Sequence, residues 1–186
     1  SIAKKYHLSA EEAVSDTVVI KKLFEKDIKL EMFIHEMDGM YSIAVYDEIE
    51  NETLLARDRY GEKPLYYFFE NGRLDFSSDA FLLAKLHDRN IPKSTALQFI
   101  KYGFIPPRTP LYTDVNTIEA GHLYRFNSFN FRRVKINYEP CSPNKSDKKD
   151  VKSNFKKCLL DSVESRLTAD VEVGVFLSGG VDSALV

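Results

Sequence analysis

The sequence predicts a layered α+β domain followed by the start of a second domain of the α/β class. Apolar residues recur at helical spacing before Asp38 and then in strand-like runs after Met40. The pair Asn71-Gly72 lies between two β-rich runs, which is a strong hairpin signal. Near the C-terminus, the apolar residues 171–177 lead into a Ser-Gly-Gly turn. These observations predict helices, then antiparallel strands, and finally a buried strand that a tight turn joins to a helix.

The composition argues against several classes of protein. The 186 residues are 44% hydrophobic, with 13 Phe and 10 Tyr, which is enough for a packed core and inconsistent with a disordered chain. The net charge of −2 argues against a nucleic-acid partner, and no apolar run approaches the roughly 18 residues of a membrane span. Cys141 and Cys158 lack metal-ligand spacing, which favours free thiols in a reducing, cytoplasmic setting.

Helices are predicted at both ends of the chain, with strands between them. Ser15, Asp16 and Thr17 are preferred capping types that open the first helix, and a short amphipathic helix follows over residues 28–37. Residues 140–150 are polar and contain proline, which predicts a linker. The remaining predicted elements are strands at 40–46, 53–57, 65–69, 74–77 and 122–126, a helix at 80–86, and a helix with an apolar stripe from residue 151 to about 167.

The turn after residue 177 carries the most specific chemistry in the chain. Its residues Ser178, Gly179, Gly180, Asp182 and Ser183 match the pyrophosphate loop of enzymes that split ATP between its α and β phosphates. Glycines let a phosphate approach the backbone N–H groups at a helix start, hydroxyls add donors, and a carboxylate suits Mg²⁺. An ordinary strand–turn–helix is the alternative. Because such a loop needs neighbouring strands and helices, we expect this chain to be part of a longer protein.

Six segments, taken in order along the chain, carry a family resemblance. They are 15–17 (SDT), 39–47 (GMYSIAVYD), 56–67 (ARDRYGEKPLYY), 76–79 (FSSD), 102–106 with 120–122 (YGFIP and AGH), and 174–183 (GVFLSGGVDS). Together they resemble the asparagine synthetase family, whose members join an N-terminal-nucleophile glutaminase to a pyrophosphate-loop synthetase. The resemblance covers nearly the whole chain from Ser15 onward.

The resemblance implies a fold and an activity. It implies part of an N-terminal-nucleophile-type four-layer αββα sandwich over residues 1–140. A linker and the start of a Rossmann-like pyrophosphate-loop synthetase domain then occupy residues 141–186. The whole enzyme would convert aspartate, ATP and glutamine into asparagine, AMP, pyrophosphate and glutamate through a β-aspartyl-adenylate. The implied cofactors are ATP and Mg²⁺, the partners are small-molecule substrates, and a homodimer is left open.

The resemblance also implies roles for individual residues. Asp16 would hold the α-amino group of glutamine through charge-assisted hydrogen bonds, with helix capping by Asp16 or Ser15 as the alternative. Leu177 would lie beside the nucleotide, and Asp182 would meet Mg²⁺. The residues that would hold the phosphates are Ser178, Gly179, Gly180 and Ser183. The cluster Arg57-Asp58-Arg59 is expected to be a structural corner that satisfies buried charges.

The sequence departs from the family pattern at the glutaminase nucleophile. The family uses an N-terminal Cys whose own amine acts as the base. No such Cys is found here, since Ser1 does not resemble the family's opening and Cys141 falls in the linker. We therefore assign no catalytic residue and expect this chain to release no glutamate from glutamine. Val18 and Asp79 replace glutamates of the family pattern, and the four histidines show neither metal spacing nor a triad.

Three other functions stay open at this stage. A family ligase for another carboxylate, in β-lactam, sugar or peptide modification, would catalyse ATP–pyrophosphate exchange without aspartate. A non-catalytic remnant used as a binding module would catalyse neither this exchange nor glutamine hydrolysis. A chance match of a generic nucleotide-binding protein is disfavoured by six motifs in the family's order.

Overall fold

The computed structural model describes residues 2–9, 11–106, 108–136, 151–167, 169 and 171–186. The chain divides into two compact units, Ser1–Glu139 and Pro140–Val186. The predicted linker at 140–150, with Cys141, lies outside the described residues. Within the described ranges, no helix combines the length and apolar character that crossing a membrane requires.

The strands of the first unit form two antiparallel sheets. They are β1 (Ser42–Asp47), β2 (Glu52–Arg57), β3 (Tyr66–Glu70), β4 (Arg73–Ser77), β5 (Asn116–Thr117), β6 (His122–Phe126) and β7 (Phe131–Lys135). The larger sheet has the order β1-β2-β6-β7, and the smaller has the order β4-β3-β5. All five strands that the sequence predicted in this unit are confirmed, with ends that shift by no more than two residues. The strands β5 and β7 are additional.

The predicted hairpin at Asn71-Gly72 is confirmed. Both residues have positive φ, +51° and +78°, as a two-residue type I′ turn requires. Glu70 and Arg73 then pair across the turn and set the register of β3 against β4. The hairpin is therefore encoded by two adjacent residues that tolerate left-handed backbone.

The helices of the first unit are α1 (Ile2–Lys5), α2 (Asp16–Glu25), α3 (Leu30–Phe33) with a following 3₁₀ turn (Ile34–Glu36), α4 (Ala80–Leu86) and α5 (Lys93–Tyr102). The predicted helices α2, α3 and α4 are confirmed. The sequence reading missed α5, whose one buried residue is Thr95 and whose large apolar side chains are exposed. Its flanks carried the signal, since Pro92 is the N-cap and Gly103 closes the helix with φ +75°.

Three buried clusters order the layers of the first unit. Helices α2 and α3 pack on one face of the larger sheet through Leu23, Leu30, Phe33, Leu54, Ala56 and Leu123. The opposite face of that sheet meets the smaller sheet through Leu55, Leu65, Tyr67, Tyr124 and Phe126. Helix α4 packs beyond the smaller sheet through Ala80, Leu83, Ala84, Val115 and Tyr66. The succession is therefore helices, sheet, sheet, helix.

The second unit contains α6 (Val151–Arg166) and α7 (Val181–Leu185). Both agree with the sequence, which predicted a helix from residue 151 and a helix start after the glycines. The apolar stripe of α6 is largely exposed, since Val151 and Phe155 are 56% and 61% exposed. The stripe therefore finds little cover within the described part of this unit.

The predicted buried strand at residues 171–177 is wrong for this chain. These residues form no strand, and their apolar side chains face solvent, with Phe176 98% exposed. A strand is held by hydrogen bonds to a neighbouring strand. The described residues of the second unit supply no such neighbour, so the apolar run stays an irregular, exposed segment.

Candidate functional site

Asp16 is the first residue of α2, and its side chain is exposed. The N-cap is Ser15, whose Oγ accepts a hydrogen bond from the backbone N–H of Val18 at 3.3 Å. Within the described residues, no hydrogen bond or ion pair engages the Asp16 carboxylate. Capping therefore belongs to Ser15, which leaves the carboxylate of Asp16 available to a ligand.

The two roles at this helix start can be separated by substitution. We expect Ser15→Ala to lower the free energy of unfolding by about 1 kcal/mol, because it removes the N-cap bond. Asp16→Asn should lower the free energy of unfolding by less than half of the loss in Ser15→Ala, since the Asp16 carboxylate does not cap the helix. Urea unfolding followed by circular dichroism measures both. If Asp16→Asn lowers the free energy of unfolding as much as Ser15→Ala does, the carboxylate of Asp16 has a structural role.

A groove of about 740 Å³ lies between α2 and β1. Thr17, the neighbour of Asp16, lies in its lining, whereas Asp16 does not. Its walls come from residues 17–29 and residues 42–49, and they mix apolar side chains with the charges of Lys21 and Asp27. No sequence motif predicted this groove, because it exists only where the helix crosses beside the sheet edge.

The Ser-Gly-Gly loop leaves open space beside its backbone. Gly179 has φ +78°, and no heavy atom lies within 4 Å of the position that a Cβ would take. Ser183 Oγ donates to the carbonyl oxygen of Gly180 at 3.1 Å and lies 3.0 Å from Ser178 Oγ. Because Ser183 has one hydroxyl proton, Ser178 must be the donor between the two. The predicted hydroxyls therefore converge beside the glycine backbone.

The other predicted residues of this loop are also exposed. Asp182 lies in the first turn of α7, and Leu177, which precedes the loop, is 74% exposed. The described residues contain no group of three or more His, Cys, Asp or Glu that could hold a metal ion. Asp182 would thus be a single protein ligand, which suits Mg²⁺ because that ion keeps waters and phosphate oxygens as its other ligands. The open backbone, the two hydroxyls and the carboxylate fit a magnesium-bound phosphate.

Asp58 is fully buried and confirms the predicted structural corner. Its Oδ1 accepts from the backbone N–H groups of Tyr60 at 3.1 Å and Glu62 at 3.0 Å, and its Oδ2 accepts from Lys63 at 3.0 Å. Burial alone would raise the pKa of this carboxyl. The backbone hydrogen bonds from Lys63, Glu62, Tyr60 and Gly61 outweigh burial and lower the pKa.

Arg57 completes the same corner. Its Nε donates to the carbonyl of Lys63 at 2.7 Å, and its Nη2 donates to the carbonyl of Gly61 at 2.6 Å. Its Nη1 reaches the carbonyl of Ile118 at 3.0 Å, in the segment that leads into β6. The side chain is therefore committed to three backbone carbonyls, which accounts for this motif without catalysis.

The titratable groups near the core also have structural roles. Burial, with the charges of Tyr124 and Glu119, raises the pKa of Tyr67 to about 12. The phenol of Tyr67 therefore stays protonated at neutral pH and cannot act as a general base. The ring of His87 stacks on Phe68 of β3 with centroids 3.7 Å apart, so this side chain packs against the smaller sheet.

Two family models match successive parts of the chain. Residues 3–138 match the family model described as a glutamine amidotransferase domain, and residues 154–186 match the model described as asparagine synthase. The first match covers most of the first unit. This part of the chain is therefore a glutamine amidotransferase domain.

Two similar proteins are named as asparagine synthetases. The putative asparagine synthetase (glutamine-hydrolyzing) 2 of Methanocaldococcus jannaschii is 32% identical over 192 residues, which cover 100% of this chain and 36% of that protein. Asparagine synthetase (glutamine-hydrolyzing) 2 of Bacillus subtilis is 32% identical over 92% of this chain and 25% of that protein. The chain belongs to the glutamine amidotransferase domain family, and both of these relatives are named as glutamine-hydrolysing asparagine synthetases. It spans about a third of the first relative and a quarter of the second.

Proposed function

We propose that this chain works in a glutamine-dependent asparagine synthetase, a ligase that makes asparagine from aspartate with glutamine as the amido donor. The observation that carries the proposal is the tandem order of the two matches, amidotransferase over 3–138 and asparagine synthase over 154–186. ATP would be split to AMP and pyrophosphate through a β-aspartyl-adenylate, and glutamine would leave as glutamate. We place the reaction in the cytoplasm, with small-molecule substrates and a homodimeric enzyme.

The first unit would supply the glutamine site. Its succession of helices, sheet, sheet and helix supports an N-terminal-nucleophile-type αββα sandwich. Ser15 caps the helix, so the exposed carboxylate of Asp16 has no capping role. This supports a contact between Asp16 and the α-ammonium of glutamine. Such an ion pair combines charge with directed N–H donors, so it would select an amino acid over a simple amide. No residue of this chain is proposed as the nucleophile.

The Ser-Gly-Gly loop would hold the phosphates of ATP. Backbone N–H groups and the hydroxyls of Ser178 and Ser183 would donate to phosphate oxygens, and Leu177 would offer an apolar contact beside the nucleotide. Bound Mg²⁺, held by Asp182, would neutralise phosphate charge. Ser178 would exchange its bond to Ser183 for a phosphate oxygen. Donors fixed by the loop would stabilise the charge that develops on the departing pyrophosphate.

The test uses the native protein purified from its source and assays three products. We expect aspartate-dependent pyrophosphate release, asparagine formation and glutamate release. Pyrophosphate release with a carboxylate other than aspartate would replace this proposal by the ligase for another acceptor. If no carboxylate supports pyrophosphate release, the non-catalytic binding module would be the remaining function. For the 186-residue chain alone, we expect no glutamate release from glutamine. Clear release would contradict the expectation that no residue of this chain acts as the nucleophile.

Two substitutions in the native protein separate the two sites. Asp16→Asn should raise the KM for glutamine by about a hundredfold through the lost ion pair, and it should leave ammonia-dependent asparagine formation unchanged. Asp182→Asn should reduce pyrophosphate release by about a hundredfold with either nitrogen donor. Asp161→Asn, at an exposed site on α6, is the matched control and should change neither rate. An Asp16 variant that lowers both nitrogen routes equally would contradict the glutamine contact.

A further inference from the structure

The turn between β3 and β4 brings together two groups that can react with each other. Asn71 is the one asparagine of the sequence that a glycine follows, and its side chain is exposed. In the part of the chain that the structure describes, neither the amide of Asn71 nor the backbone N–H of Gly72 is hydrogen-bonded. A glycine also has no Cβ to shield its nitrogen. An amide carbon and a backbone nitrogen are therefore both unengaged at this turn.

We propose that Asn71-Gly72 is a site of spontaneous deamidation, and that the turn between β6 and β7 controls its rate. The backbone nitrogen of Gly72 loses its proton and attacks Cγ of Asn71, and the bond between Cγ and Nδ2 breaks. The departing nitrogen takes up a proton and leaves as ammonia, so a cyclic succinimide remains. A water molecule then opens the ring, and an amide has been exchanged for a carboxylate without oxidation or reduction. Because the reacting atoms belong to adjacent residues, the reaction needs no partner surface.

The β3–β4 turn must change its conformation before the ring can close. The first central residue of a type I′ turn has ψ of about +30°, which directs the following nitrogen away from the side chain. Rotation of the peptide between Asn71 and Gly72 gives a type II′ turn, with ψ of about −120° at the first central residue. At this ψ the nitrogen of Gly72 eclipses Cβ of Asn71, as ring closure requires. Because a type II′ turn favours glycine at its first central position, the reactive conformation is a minor state.

Ser128 opposes this rotation. Its carbonyl oxygen lies 2.2 Å from the Cβ position of Gly72, so it packs against the Cα of that glycine. The rotation changes φ of Gly72 from +78° to about −80°, which turns the Cα hydrogens and disturbs this contact. The β6–β7 turn holds the oxygen in place, because Asn127 Oδ1 accepts from the backbone N–H groups of Phe129 and Asn130, both at 3.0 Å. The chemistry of one turn therefore depends on the rigidity of another that is distant in the sequence.

The two products differ in their effect on the hairpin. Opening of the ring at Cγ leaves aspartate, and Asp-Gly supports the same type of turn as Asn-Gly. Opening at the backbone carbonyl leaves isoaspartate, which routes the chain through the side chain and adds a methylene group to the backbone. Glu70 and Arg73 then no longer pair across a two-residue turn. Deamidation therefore converts part of the protein into a form whose β3–β4 hairpin is weakened.

The test follows two tryptic peptides of the native protein by mass spectrometry during incubation at mildly alkaline pH. The peptide 60–73 contains Asn71 as its one asparagine, and the peptide 30–57 contains Asn51 as its one asparagine. Asn51 is the matched control because it is exposed with the same φ of +51°, but its Oδ1 accepts from the Tyr46 hydroxyl at 3.0 Å and no glycine follows it. We expect amide-to-acid conversion about tenfold faster in 60–73 than in 30–57. Equal rates overturn the proposal.

A pair of substitutions tests the role of the β6–β7 turn. Asn127→Ala removes the side-chain acceptor from that turn, so Asn71 should convert about threefold faster than in the native protein. Asp47→Ala is the matched control, because Asp47 Oδ1 accepts the equivalent bonds from Ile49 at 3.0 Å and Glu50 at 3.1 Å in the β1–β2 turn. It should leave the rate unchanged. An Asn127 variant that converts no faster than the Asp47 variant overturns the control by the β6–β7 turn.

Unfolding of the native protein in urea gives a readout that needs no substitution. Without Ser128 against Gly72, the peptide rotates freely, so Asn71 should convert about tenfold faster than in the folded protein. Equal rates in the folded and the unfolded protein also overturn the control by the β6–β7 turn. The rates are measured without substrates, so they do not depend on the proposed ligase activity.

Discussion

Gly72→Ala should lower the free energy of unfolding by about 3 kcal/mol, the sum of backbone strain and a steric overlap. Gly72 has φ +78°, a conformation in which an L side chain is strained. A Cβ on this backbone would also lie 2.2 Å from the carbonyl oxygen of Ser128, in the turn between β6 and β7. Because the obstacle is backbone, it cannot rotate away, and the two hairpins must separate.

Gly103→Ala is the matched control for that overlap. Gly103 has φ +75°, but no heavy atom lies within 4 Å of its Cβ position. This substitution should cost about 1 kcal/mol, from strain alone. Urea unfolding monitored by far-ultraviolet circular dichroism measures both variants. Equal losses would show that Ser128 moves freely and that the two hairpins are not packed as the structure has them.

Asp58→Asn should cost about 3 kcal/mol of unfolding free energy at neutral pH. The buried carboxylate of Asp58 accepts hydrogen bonds from three backbone N–H groups, and hydrogen bonds to a charged group contribute more than neutral ones. An amide of the same shape turns an N–H₂ group toward at least one of these donors. The corner also holds the start of β1, because the backbone N–H of Asp58 donates to the carbonyl of Tyr41 at 3.0 Å.

The same carboxylate makes stability depend on pH at the acid end. Its pKa is lower in the folded chain than its ordinary value of 3.8, so the folded state favours the ionised form. This contribution is therefore complete well above pH 3.8, and it is lost as the pH falls through the folded pKa. Unfolding free energy of the native chain should drop below about pH 4, and the Asp58 variant should lack that part of the drop. Asp88→Asn, an exposed and conservative change, should retain it.

Several features of this protein were determined by a few adjacent residues. The Asn71-Gly72 turn needs two residues that tolerate positive φ, and the helix start at Ser15 needs one hydroxyl, so each is written in the local sequence. The corner at Arg57 and Asp58 is nearly as local, because most of its hydrogen bonds close within six residues. The order of the motifs indicated the family for the same reason. Each motif is a short string with its own chemistry.

Other features were decided only by tertiary structure. Residues 171–177 have the apolar pattern of a buried strand, yet they form none, because a strand depends on a partner that the pattern cannot supply. Helix α5 was not predicted, and in the structure its large apolar side chains are exposed while Thr95 is buried. The groove beside β1 exists only where residues 17–29 meet residues 42–49. Periodicity and turn chemistry report what a segment favours by itself. Pairing, burial and grooves depend on which distant segments meet, and that information lies in the packed molecule.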